Sequence, residues 1–206
     1  MSTEHWETIY RDRRSDELSW SQSAPATSLQ VIDELGLDAD RAVVDVGAGE
    51  SALVDALLAR GHRRITVLDV AQGALDRARA RLRGVPGADA VHWVAQDVLT
   101  WAPATTFGLW HDRAVFHFLT APADRQAYGD VAARAVAPGG FLVVATFAPD
   151  GPAQCSGLRV RRYDADTLAA QFAPGFVPVL ARAQSHHTPW GAVQPFTWLA
   201  LRRSTS

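Results

Sequence analysis

Val43-Val44-Asp45-Val46-Gly47-Ala48-Gly49-Glu50-Ser51 decides the reading of this chain. The run 41–46 is short, apolar and β-branched, the pattern of a buried strand. Two glycines follow, and they let the backbone turn tightly and come close to a ligand. From Ser51 to Arg60, Leu53, Val54, Leu57 and Leu58 recur at helical spacing. The unit is therefore strand, glycine turn, helix. A nucleotide-like ligand would lie over the turn, against free amides at the helix start.

Gly47-x-Gly49-x-x-Ala52 on its own fits a dinucleotide fingerprint. Three acids point elsewhere. Asp45 stands two residues before the first glycine, where a dinucleotide site keeps an apolar residue. A carboxylate there suits a cation or an amine. Asp69 ends the next apolar run, Ile65-Thr66-Val67-Leu68, about 20 residues past the turn, where an acid can grip ribose hydroxyls. Asp97 follows a third run, Val91-His92-Trp93-Val94, and can accept from an adenine amino group.

With these residues, and with Gln96, His111-Asp112-Arg113 and Pro138-Gly139-Gly140, the chain resembles the class I S-adenosylmethionine-dependent methyltransferases. The resemblance is strong over roughly 40–147 and loose on the flanks. It implies S-adenosyl-L-methionine as cofactor and S-adenosyl-L-homocysteine as product. It also implies an α/β, Rossmann-like, doubly wound seven-stranded sheet, mostly parallel with one antiparallel strand near the C-terminus. By that resemblance Asp45, Gly47, Ala48, Gly49 and Ser51 hold the methionine part. Asp69 with Val70 takes the ribose, and Asp97 with Val98 takes the adenine. Ser51 replaces the usual last glycine of the first motif; serine is small and can cap the helix. Trp20 and Tyr10 can cover the methionine end, because aromatic faces favour a sulfonium. They can equally form a hydrophobic clasp, the preferred reading for Trp6. A Rossmann-like domain for another nucleotide remains the competing reading.

The candidate catalytic residues are Asp112, Arg113 and His117. Asp112-Arg113-Ala114 looks like a short piece of thiopurine-type S-methyltransferases, which implies an Arg113 that holds an anionic or polar acceptor. The alternative is an Arg113 that pairs Asp112 or Asp45 and braces the site. His117 lies about one turn further on and is the first candidate for general base. The alternative is a histidine packed under the helix. The segment lacks Asn/Asp-Pro-Pro-Tyr/Phe, which counts against nucleobase and glutamine-amide acceptors. Methyl transfer from a sulfonium needs no metal, and adjacent His186 and His187 in an extended loop point opposite ways. No metal site is expected. Cys155 can be a soft contact for a thiol acceptor or an incidental loop residue.

The 206 residues fit one domain: 1–36 a lid and helix, 41–147 the donor-binding core, 148–206 an acceptor-side loop and closing strands. Hydrophobic residues at 48% argue against disorder, and a net charge of -2 without single-sign blocks argues against nucleic-acid binding. All 20 cations are arginine, and neither lysine nor asparagine occurs. That bias reads as a GC-rich bacterial genome, and it excludes a catalytic lysine. With Cys155 the lone cysteine, an intrachain disulfide or cysteine zinc cluster is impossible. The charged start without an apolar core, and no apolar stretch of spanning length, lead to a cytoplasmic expectation.

Strands are expected at 41–46, 64–69, 90–95, 108–112 and 141–147. Helices are expected within 1–24, at 25–36, 51–60, 71–83 and 164–172. A further helix opens at Ala121-Pro122, is capped by Thr120 and breaks at Pro138-Gly139-Gly140. Residues 148–162 read as loop, and 175–184 and 195–203 as an antiparallel pair. The expected activity is methyl transfer to S, N or O of a small-molecule acceptor. Nucleic acid and membrane are not expected partners, and the state is a monomer or weak homodimer. Alternatives are a protein lysine or histidine methyltransferase and a non-catalytic donor-binding protein.

Overall fold

The computed structural model describes residues 2–205. The helices are α1 (Thr3–Asp12), α2 (Ala26–Glu34), α3 (Leu53–Ala59), α4 (Gln72–Arg81), α5 (Pro122–Ala135) and α6 (Ala165–Ala169). The strands are β1 (Val43–Val46), β2 (Ile65–Asp69), β3 (His92–Ala95), β4 (Phe107–Arg113), β5 (Val136–Phe147), β6 (Gln154–Cys155), β7 (Leu158–Arg159), β8 (Phe176–His187) and β9 (Val193–Arg203). Seven of them form one sheet in the order β3-β2-β1-β4-β5-β9-β8. The first five are parallel, and β9 runs against both β5 and β8. β9 is therefore the single reversed strand that the resemblance implied.

The central strands bury both faces, which is why they read as unbroken apolar runs. Alternate residues feed two cores. Val44, Val46, Trp110, Leu142 and Val144 pack with Tyr128, Val131 and Ala132 of α5. Val43, Leu109, Val143 and Ala145 pack with Val31 and Ile32 of α2 and with Leu53 and Leu57 of α3. The buried charged and titratable side chains of these strands, Asp45, Asp69, His111 and Asp112, sit toward the carboxyl ends.

Several boundaries differ from the sequence reading, each for a local reason. Thr120 does not cap α5: Ala121 is the N-cap, without a side-chain bond, and Pro122 opens the helix. A first-turn proline loses no hydrogen bond, so the cap is dispensable. Pro138-Gly139-Gly140 does not separate helix from strand. β5 already begins at Val136, and its pairing with β4 shifts register between Phe107 and Leu109. α3 starts at Leu53, yet the Ser51 hydroxyl still accepts from the Leu53 amide at 3.1 Å. α6 is shorter than 164–172 and is capped by Asp164, which accepts from Thr167 N–H at 2.8 Å. The 148–162 stretch contains the small β6-β7 hairpin. β8 extends through His187, so both histidines belong to a strand: His186 is buried and His187 exposed. Among the described residues no helix is long and apolar enough to cross a membrane.

Candidate functional site

Two cavities open at the carboxyl ends of β1, β2 and β4, the place where open parallel sheets hold ligands. The first, about 590 Å³, runs from Asp69, Val70, Gln96 and Val98 to Arg113, Phe118 and Cys155. The second, about 640 Å³, lies over Asp45, Gly47, Ala48, Glu50 and Ser51. Val46, Gly47, Trp20 and Arg113 line both.

The glycine turn is built for close approach. Gly47 has φ +60, and a Cβ there would sit 1.9 Å from Val115 Cγ2. The amides of Gly47 and Ala48 both donate to the Leu68 carbonyl, tying the turn to β2. Asp69 then closes it: its carboxylate accepts from Gly49 N–H and Ala71 N–H, each at 2.8 Å. Burial outweighs those amides and lifts the Asp69 carboxyl to about 6.

Asp45 lies at the floor of the second cavity and is part of a buried chain. His111 Nδ1–H donates to Asp45 Oδ1 at 2.8 Å, and the Ser28 hydroxyl donates to His111 Nε2 at 3.0 Å. That proton assignment follows from a carboxylate being acceptor-only. Asp45 Oδ2 is buried without a partner. Parallel pairing sets Asp45 beside His111 on β4, but the involvement of Ser28 from α2 had no signal in the sequence.

The N-terminal segment covers the site. Glu7 accepts from Gln72 N–H at 2.7 Å and Gly73 N–H at 3.3 Å at the start of α4. Ser15 bonds Glu50, and the Ser19 carbonyl accepts from His186 Nε2–H at 2.7 Å. Trp6 and Tyr10 line the first cavity with Trp20, their rings in edge contact with its indole. Trp6 is thus both clasp and cavity wall. Burial and the neighbouring Asp69 and Glu50 push the Tyr10 phenol well above its ordinary range.

The acceptor-side residues part company. Arg113 faces both cavities, with Nη1 donating to the Trp20 carbonyl at 2.9 Å and the guanidinium 5.1 Å from the centre of the Phe196 ring. Its Nε and Nη2 are sealed from solvent and have no hydrogen-bond partner. Burial draws its pKa down to about 10. Arg113 does not bond Asp112, whose oxygens are already taken. They accept from Tyr128 Oη at 2.5 Å, Val115 N–H at 2.9 Å and Phe116 N–H at 3.1 Å. Fully buried and off both cavity walls, Asp112 shapes the turn that carries Val115 and does not meet a ligand. Burial raises it to about 6.

His117 corrects the expectation of a base. It is fully buried between Phe118 and Phe147, off both cavity walls, and neither ring nitrogen has a partner. Desolvation, then the Arg113 charge, depresses it to about 3. The short helical turn Phe116–Phe118 rotates it away from the direction that Arg113 takes. Asp97 lines neither cavity and accepts from Leu99 N–H at 2.9 Å; Gln96 and Val98 present themselves instead. Cys155 does reach the first cavity, with its thiol pKa raised by burial. Val70 and Val98 line the first cavity, Ala48 and Ser51 the second, and Trp20 both.

Residues 43–140 match a methyltransferase-domain family. No curated protein matches the chain. Among solved structures, the chain is similar to the N-methyltransferase NodS from Bradyrhizobium japonicum WM9 in complex with S-adenosyl-L-homocysteine. The TM-score is 0.73 at 19% identity, covering 98% of this chain and 99% of that one. It is similar to Burkholderia thailandensis 1,6-didemethyltoxoflavin-N1-methyltransferase, with TM-score 0.69, 22% identity, and 98% and 84% covered. It is similar also to the protein of a structure titled for the conversion of a disulfide bond into a thioacetal group during echinomycin biosynthesis. There the TM-score is 0.77 at 22% identity, with 100% and 94% covered. At these identities the structural likeness establishes the fold. The similarity to thiopurine-type enzymes has no counterpart among these three descriptions.

Proposed function

We propose that the chain is an S-adenosylmethionine-dependent methyltransferase and that it methylates sulfur, nitrogen or oxygen of a small molecule. The observation that carries the reading is the meeting of two cavities at Gly47, Trp20 and Arg113. The residues fit the donor. Asp45 Oδ2, buried and unpartnered in the second cavity, suits the donor ammonium. Asp69 suits the ribose, and Gln96 and Val98 suit the adenine edge and face. The rings of Tyr10 and Trp20 suit a sulfonium.

The donor supplies a methyl group already activated as a sulfonium. The chain's own task is alignment and exclusion of water. Asp45 would hold one end of the donor and Asp69 the other, while Arg113, Phe118 and Cys155 line the β4 side of the first cavity, where an acceptor would be held. Trp6, Tyr10 and Trp20 close over it. Asp112 acts through the Val115–Phe116 turn as a positioning residue. His117 is neutral and sealed, and no proton transfer is assigned to it.

Residues 1–36 serve as lid and first helix, 41–147 as donor core and 148–206 as the acceptor side. A cytoplasmic place, no nucleic-acid or membrane partner, and a monomeric or weakly dimeric state complete the proposal. A protein lysine or histidine acceptor has no observation of its own here, whereas one neighbour's title names a toxoflavin precursor as ligand. Calorimetry with S-adenosylmethionine, S-adenosylhomocysteine and NAD tests the donor side. Binding of the first two alone supports the reading, and binding of NAD alone overturns it.

A further inference from the structure

Arg113 is a half-buried cation, its Nε and Nη2 sealed from solvent, with no anion paired to it among the described residues. Among the described residues its only hydrogen-bond partner is the neutral Trp20 carbonyl, while Nε and Nη2 have none. The charged and titratable groups around it do not answer it. Asp45, from β1, is engaged with His111. Cys155, from β6, keeps its proton because burial raises it. His117, from the turn, and His186, from β8, are both pushed toward the neutral form. Burying a guanidinium this way is costly unless a carboxylate-like partner completes it.

The strand order says whose anion it is. The donor-fitting residues lie on β1, β2 and the segment after β3, at one side of Gly47. Arg113 ends β4, on the other side, toward β5, β9 and the hairpin carrying Cys155. Planar apolar walls accompany it there: Phe118 and Trp6 in edge contact, with Phe196 under the guanidinium.

We propose that the methyl acceptor is an aromatic organic anion, whose carboxylate or equivalent group pairs with the open nitrogens of Arg113 at the junction of the two cavities. The inference rests on the methyltransferase reading above. The Trp20 carbonyl occupies Nη1, and the free Nε and Nη2 are sealed from solvent, so the anion reaches them only when the 18–22 segment yields. The proposal concerns recognition and adds no chemical step.

The test uses benzoate and its neutral isostere benzamide, titrated by calorimetry into the full chain saturated with S-adenosylhomocysteine. Benzoate is expected to bind about tenfold or more tightly than benzamide, the worth of one charge-assisted pair. Arg113→Lys should keep the preference for benzoate, and Arg113→Gln should abolish it while S-adenosylhomocysteine affinity stays level. Equal binding of the two probes, or binding of neither, overturns the proposal. So does an Arg113→Gln variant that loses S-adenosylhomocysteine instead, because the arginine then belongs to the donor carboxylate. If Arg113→Gln does not fold by circular dichroism, the wild-type and Arg113→Lys comparisons still decide. Failure of S-adenosylhomocysteine to bind the wild type would sink the methyltransferase reading itself, and is told apart at the first titration.

Discussion

The half of the site that we assign to the donor and the half that we assign to the acceptor are built on opposite principles. On the donor side, each binding residue follows its own strand directly: Asp45 and Gly47 at β1, Asp69 at β2, Gln96 and Val98 after β3. Backbone geometry does most of the work, with positive-φ glycines and amides held by Leu68 and Asp69. On the acceptor side the wall is assembled from the N-terminal segment, the end of β4, the β6-β7 hairpin and β9. Side-chain packing decides there who faces the ligand. Local rules bring Asp45, Gly47, Asp69 and Arg113 to the cavities, whereas Asp97 and His117, which they also offered, line neither.

The largest expected effect breaks the donor half. Gly47→Ala forces a left-handed alanine and a Cβ 1.9 Å from Val115 Cγ2. The backbone alone costs about 1–2 kcal/mol, and the overlap adds about 1–3 kcal/mol more. Thermal melts should show a marked loss of stability, and calorimetry should show no donor binding. Survival of both would mean that close packing of the turn on Val115 is not required.

Asp69→Ala comes next. It removes a carboxylate that holds two amides and, on our reading, the ribose; charge-assisted bonds of about 1.5–3 kcal/mol imply roughly 100-fold weaker S-adenosylhomocysteine binding. The pH profile sharpens this. With Asp69 raised from 3.8 to about 6, the fold favours its protonated form. Its contribution to stability is full below 3.8 and is lost as pH rises through 6. Ribose hydroxyls need the carboxylate, so donor affinity runs the other way and should fall as pH drops below 6. Affinity that is flat from pH 7.5 to about 5 would remove Asp69 from the ribose.

His117→Leu tests the acceptor half at a residue the sequence misplaced. A general base contributes roughly a hundredfold or more, so a loss of that size would restore the role. We expect turnover to survive. Stability should change with a definite sign. His117 is depressed to about 3 in the fold, so the unfolded chain takes its proton first as pH falls below about 6.5. Wild-type stability is thus lost between there and pH 3, by about 1.4 kcal/mol per unit at most. The leucine variant should be spared that loss in melts at pH 7 and 5.

These outcomes bear on what a sequence discloses. The sheet was legible because a strand buried on both faces carries its own signature, as Val43–Val46 and Ile65–Asp69 do. Asp45 and Asp69, the acids we assign to the donor, stood out because each lies within the last two residues of an apolar strand. Asp97 misled by one residue: a turn carboxylate satisfied by the Leu99 amide reads the same as one offered to a ligand. His117 misled because the Phe116–Phe118 turn rotates it by an amount that spacing does not encode, and Asp112 because it alternates with Arg113 along β4 and faces the other side of the sheet. Ser28 was silent because its partner is 83 residues away. Element ends slipped where the signal was a single residue, as with Thr120 beside Pro122.

The smallest effect concerns the N-terminal segment, which reaches both halves. On the donor side, α1 is latched by Glu7, whose carboxylate meets the amides opening α4. On the acceptor side, the chain that follows is latched by Trp20 on Arg113 and Ser19 on His186. Glu7→Gln keeps the shape and removes the charge, and an anion at a helix start is worth about 0.3–1 kcal/mol. The melting temperature should barely move, because the other latches remain. Stopped-flow release of S-adenosylhomocysteine should quicken by roughly threefold, the kinetic equivalent of that energy if the latch must open for exit. An unchanged release rate would mean that the donor leaves without lifting α1, and that the lid works from the Trp20 end alone.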